Sequence, residues 1–167
     1  MYNNSVKRKG KEVGKMAKAI YFDMDGTFVD FYGVDGWLEY LQHNDATPYI
    51  IAKPLVNMSA FAKQVKRLQR AGYTVGIVSW CSKKGTDVFN EMIEEAKKMW
   101  LRNHCASIEW DEIKIVPYGT PKHTVVRYHD GLLFDDEQKN RLDWDKASAD
   151  GFAFDVDNMI NVLRRIH

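Results

Sequence analysis

Long apolar runs, paired cysteines and a surplus of either charge are all missing from this chain. No stretch approaches the ~20 consecutive apolar residues of a membrane-spanning helix, so no span is expected. The basic opening residues, Lys7, Arg8, Lys9, Lys11, Lys15 and Lys18, lack the apolar segment that a secretory signal requires. Cys81 and Cys105 have no C-x-x-C spacing and read as buried thiols in a reducing, cytoplasmic setting. A formal net charge of +1 gives no broad electrostatic preference for a polyanion. The histidines show no H-E-x-x-H or Cys/His pattern, which argues against zinc, and His123 reads as a surface residue. Gly10-Lys11 and Gly85-Thr86 do not build the glycine-rich nest of a nucleotide-binding loop. There is no internal repeat and no low-complexity tract.

What remains describes an ordinary globular domain. With 167 residues, 45% apolar and 28% charged, residues 19–167 suffice for one core of their own. Residues 1–18 read as a basic, solvated arm, with contact to nucleic acid as the alternative.

Apolar segments recur along the chain as short strands separated by helical patterns. Strands are expected at Ala19-Ile20-Tyr21-Phe22, 73–78, 112–116, Leu132-Leu133-Phe134 and 151–154. Helical spacing predicts one helix carrying Phe61, Val65 and Leu68, started by Asn57 or Ser59 and ended by Gly72, with Lys63, Lys66, Arg67 and Arg70 on its wet side. A second, about 87–103, is read with Val88, Met92, Ala96 and Met99 or Trp100 inward, and with Glu91, Glu94, Glu95, Lys97 and Lys98 in water. Thr120-Pro121-Lys122 reads as a capped helix start, and Met159, Ile160, Leu163 and Ile166 as a closing helix. The pattern implies an α/β fold: a Rossmann-like, mostly parallel sheet with helices on both faces. A short insert at about 28–54, with Trp37, Leu38, Tyr40 and Leu41 on one small helix, would lie over the catalytic face as a cap or simply pack down.

The chemistry concentrates where strands end. Ala19-Ile20-Tyr21-Phe22 runs into Asp23-Met24-Asp25-Gly26-Thr27, two carboxylates one residue apart and then a tight turn. Carboxylates so close repel unless a cation or a shared proton offsets them, and a hard divalent ion such as Mg²⁺ meets that need. Leu132-Leu133-Phe134 delivers a second pair, Asp135-Asp136, in the same way. Ser79 follows another strand and by spacing alone reads as a turn hydroxyl, with Ser82 a weaker candidate. Lys122 stands in the first turn of a helix, where a cation gains nothing from the dipole, and its rival Lys114 falls within a strand. Asp155 and Asp157 form a further acidic pair whose simpler reading is capping of the last helix.

Asp23-Met24-Asp25-Gly26-Thr27 resembles the first motif, DxDGT, of the haloacid dehalogenase-like hydrolase superfamily. Ser79, Lys122 and Asp135-Asp136 fall in the order of its remaining motifs, and Val116-Pro117-Tyr118-Gly119-Thr120-Pro121-Lys122 resembles small 5′-nucleotidases and deoxyribonucleotidases. The resemblance implies Mg²⁺-dependent phosphomonoester hydrolysis, with Asp23 as nucleophile and Asp25 as general acid and base. Ser79, Lys122 and the amides of Met24, Gly26 and Thr27 would contact phosphate. Asp23, the Asp25 carbonyl and Asp136 would hold the metal, with Asp135 acting through water or fixing Lys122. Asn140 would stand where some relatives carry a more distal acid. The expected substrate is a nucleotide; a sugar phosphate, a phosphorylated nucleic-acid end and a non-catalytic nucleic-acid-binding protein are the alternatives. Dehalogenase chemistry is disfavoured because Asp25 is present.

Overall fold

The computed structural model describes residues 17–148, 152–154, 156 and 158–167. Most of the basic arm, Gly151, Asp155 and Asp157 lie outside the described residues. Lys18 lies within them and donates to the Ala71 carbonyl at 3.2 Å.

The frame is a five-stranded sheet in the order β5-β4-β1-β6-β7, formed by β1 (Ala19–Phe22), β4 (Thr74–Trp80), β5 (Glu112–Val116), β6 (Leu132–Phe134) and β7 (Ala153–Phe154). Every pairing in it is parallel. From β1 the chain winds outward to β4 and β5, then crosses back to β6 and β7. The order therefore reverses between β1 and β6, the place where doubly wound sheets open a crevice at their carboxyl ends. Asp23 and Asp135 are the residues that follow these two strands.

Alternation along the central strands sorts the core into two faces. Ile20, Phe22, Val75, Ile77, Leu132 and Phe134 point one way, toward α3 (Met58–Arg70), the latter half of α4 (Asp87–His104) and α6 (Met159–Arg165). Phe22 is the hub: it stacks on Phe134 at 5.2 Å and meets Phe61 edge-on at 5.1 Å. Ala19, Tyr21, Val78 and Leu133 point the other way, toward Trp144 on α5 (Gln138–Ala147). Helices thus cover both faces of the parallel sheet.

α3 begins where Asn57 Oδ1 accepts from the Ala60 amide at 2.9 Å and buries Phe61, Val65 and Leu68. Gly72 follows its end at φ +88°, a conformation that suits glycine. Arg67 departs from the solvated reading, because its guanidinium donates to the Leu163 and Ile166 carbonyls and ties α3 to the last helix.

Two expectations need correction. In α4 the expected Ala96 and Trp100 are buried, but Phe89, Ile93, Lys97 and Leu101 join them in place of the rest of the expected stripe. Val88, Met92 and Met99 are exposed. Val88 and Met92 stand at the same helical spacing as Phe89 and Ile93, and packing put the latter pair in the interior. Around Lys122 the chain makes one 3-10 turn, Lys122–Thr124, with no side-chain cap; Thr120 Oγ1 donates back to the Pro117 carbonyl instead.

The segment between β1 and α3 is bracketed by a small antiparallel pair, β2 (Val29–Asp30) and β3 (Lys53–Pro54). Between them lie α1 (Trp37–Gln42) and α2 (Thr47–Ile51). Phe31, Ala46 and Tyr49 pack on Cys81, Phe89, Ile93 and Ala96, so the segment shares its core with the first half of α4. Cys81 and Cys105 are both buried free thiols. No helix among the described residues is long and apolar enough to cross a membrane.

Candidate active site

A cavity of about 430 Å³ opens at the carboxyl edge of the sheet. Its floor carries Asp23 from the end of β1, Ser79 and Trp80 from the end of β4, Asp136 from beyond β6, Lys122 and Asn140. Its roof includes Tyr32, Trp37 and Leu41 from the segment between β2 and β3. Asp23, Asp25, Ser79, Lys122 and Asp136, far apart in sequence, therefore share one space. Ser82 lines it as well; Lys114 does not, and lies 3.8 Å from Glu112 on β5.

The turn after β1 sets the first pair. The Met24 carbonyl accepts from Thr27, Phe28 and Val29 at 3.1–3.2 Å, and Gly26 donates to Val29 at 2.9 Å. The Gly26 and Thr27 amides are thereby committed inside the turn, and Met24, Gly26 and Thr27 do not line the cavity. Gly26 sits at φ +76°, and a Cβ there would strike the Asp136 carboxylate. The glycine is what lets the two acidic loops approach. Thr27 Oγ1 is buried with no hydrogen-bond partner among the described residues.

Lys122 joins the loops. Its ammonium lies 2.9 Å from Asp23 Oδ1 and 2.6 Å from Asp135 Oδ2, with the Trp80 ring 5.3 Å away. Burial disfavours the charged lysine, but Asp23 and Asp135 outweigh it and raise its pKa above the usual value. Asp135 is fully buried; it accepts from the Glu137 amide at 2.9 Å and from Asn140 at 3.1 Å. Arg141 fastens the same loop by donating to the carbonyls of Asp135 and Asp136.

Asp23, Asp135 and Asp136 each offer one carboxylate oxygen, and these oxygens lie within 4.8 Å of one another. Hard oxygen donors so grouped match Mg²⁺-like ions and not thiophilic metals. Asp136 has no ion pair among the described residues; burial, followed by the charges of Asp23 and Asp135, pushes its carboxyl up to about 7. Asp135 is also raised, first by burial and then by Asp23, against the pull of Lys122. This is a set of carboxylates short of positive charge, a potential metal-binding and catalytic cluster of the kind a phosphoryl-transfer hydrolase can use.

The Asp25 carboxylate stands apart from that trio. Its Oδ2 accepts from Lys97 at 2.7 Å. Burial raises its pKa, Lys97 pulls it back and Asp23 raises it again, with a net rise. Lys97, expected on the wet side of α4, is only 1% exposed. Its signal was present in the sequence: it lies four residues after Ile93 and four before Leu101, inside the stripe that does face the core. His123, expected at the surface, is half-buried beside Lys122, and its Nδ1 has no partner among the described residues. Neither the models of protein families nor the curated proteins give a match to this chain.

Proposed function

We propose that the chain is an Mg²⁺-dependent phosphomonoester hydrolase of the haloacid dehalogenase-like type, with residues 19–167 as its working unit and 28–54 as a small cap. The observation that carries this reading is the convergence of Asp23, Asp25, Ser79, Lys122 and Asp136 on one cavity at the reversal point of a parallel sheet.

In the proposed reaction an Asp23 oxygen attacks phosphorus, the ester oxygen leaves, and an aspartyl phosphate forms. Asp25, whose carboxyl is raised by burial, gives its proton to the leaving oxygen and then takes one from the water that cleaves the acyl phosphate. Lys122 offsets charge on Asp23 and on the phosphoryl oxygens, and Ser79 donates a hydrogen bond to one of them. Asp23 and Asp136, with the Asp25 carbonyl, would hold Mg²⁺, while Asp135 fixes Lys122. When bound, the ion supplies Lewis-acid stabilisation of the phosphoryl charge.

A nucleotide is the proposed substrate. Tyr32, Trp37, Trp80 and Tyr118 line the cavity, offering flat rings to a base, and Lys83 and Lys84 stand at the same cavity. The test is phosphate release from nucleoside 5′- and 3′-monophosphates, sugar phosphates and phosphorylated oligonucleotides, with Mg²⁺ or with EDTA. Metal-dependent release that favours base-bearing esters is expected. Equal rates on plain sugar phosphates would remove the nucleotide assignment, and no release from any ester would remove the hydrolase reading.

A further inference from the structure

Lys97 is a buried lysine to which the reaction above gives no part. We propose that it is a positioning residue of that reaction, an inference that rests on the hydrolase reading: it fixes the Asp25 carboxylate and the Ser79 hydroxyl toward the phosphoryl group.

An ammonium has three N–H donors and no acceptor. All three have partners: Asp25 Oδ2 at 2.7 Å, Ser79 Oγ at 2.8 Å and the Trp80 carbonyl at 2.8 Å. Each partner belongs to a residue that lines the cavity. Because Ser79 Oγ receives from Lys97, its own O–H is left as a donor, and no acceptor takes it among the described residues. Asp25 is held through Oδ2, which leaves Oδ1 for the leaving oxygen. The bond to Trp80 fixes the strand end that carries Ser79. From the other side the Tyr49 ring lies 5.1 Å from the ammonium and stacks on Phe31 at 4.4 Å. Lys97 is thus held between the sheet and the 28–54 segment.

A purely structural role accounts poorly for this. An apolar side chain of similar volume commonly serves stability as well as a buried ion pair does. Nothing in packing requires that every N–H of Lys97 reach a cavity-lining group.

The test uses Lys97→Met, which keeps length and burial, with thermal melting as the check on folding. Two esters are compared at saturating Mg²⁺: a nucleoside 5′-monophosphate, whose alkoxide needs a proton to leave, and p-nitrophenyl phosphate, whose phenolate does not. The expected outcome is a kcat/KM loss, which reports only the step that expels the leaving group, of about a hundredfold or more on the first and less than about tenfold on the second. In an Asp25→Asn background the same substitution should add little, since the two side chains act as a unit. Equal losses on both esters, or losses that multiply with Asp25→Asn, would overturn the proposal. Should Lys97→Met fail to fold, Lys97→Gln is read by the same ratio. Failure of the hydrolase reading is seen separately, as a wild-type protein that cleaves neither ester.

Discussion

The two acidic loops begin alike and end differently. Each follows a short buried strand, and each delivers two carboxylates to the same edge of the sheet. In the first loop both acids find a lysine: Asp23 pairs with Lys122 and Asp25 with Lys97. In the second, Asp135 takes Lys122 and Asp136 takes none among the described residues. Four carboxylates against two ammoniums leave a formal excess of two negative charges, centred on Asp136. A buried like-charge cluster is costly unless cations offset it. The pairs therefore differ in charge balance: each acid of the first has a lysine, whereas the second anchors a lysine through Asp135 and leaves Asp136 without one among the described residues.

The largest effect should come from the first loop. Asp23→Asn keeps the shape and removes the proposed nucleophile, so phosphate release should fall to background while the fold melts as before. Normal turnover in that variant would end the assignment of Asp23.

The fold was largely legible in the sequence because its central strands, Ala19–Phe22 and Leu132–Phe134, are short apolar runs that end in acid pairs. Tertiary packing decided the rest. Helical spacing in the first half of α4 allows two stripes one residue apart, and only contact with Tyr49 and Phe31 selects Phe89 and Ile93 over Val88 and Met92. That single step of register hid Lys97, because it turned the lysine from core to water. The mutual approach of Gly26 and Asp136 was equally invisible, since the two residues meet only when β1 and β6 pair.

Second in size is the loss of the Lys122 anchor. Asp135→Ala removes one carboxylate from a fully buried pair and strips Asn140 of its acceptor. Breaking such a pair costs about 3–5 kcal/mol. Chemical denaturation should show a loss of that order, and a loss below about 1 kcal/mol would mean that Asp23 alone holds the lysine.

Gly26→Ala tests whether the loops must touch. The new methyl would sit at an unfavourable positive φ and press on the Asp136 carboxylate. A stability loss of about 1–3 kcal/mol is expected, together with weaker Mg²⁺ binding by calorimetry. Unchanged affinity would show that Asp136 can bind metal from a displaced position.

The prediction most specific to Asp136 is a dependence on pH. An aspartate in the unfolded chain titrates near about 3.9, whereas Asp136 in the folded chain is pushed up to about 7. Below the lower value it is neutral in both states, and its full contribution to stability is present. Between the two values the folded protein keeps a proton that the unfolded chain has released, so stability falls as pH rises, and the loss is complete above the higher value. In metal-free protein the melting temperature of wild type should therefore drop relative to Asp136→Asn across that window. Mg²⁺ added above pH 7 should restore wild type and leave Asp136→Asn nearly unmoved, because only wild type gains a charge for the ion to offset. A difference that stays flat with pH would mean that solvent already neutralises Asp136, and the contrast between the two acidic loops would then lie in geometry and not in charge.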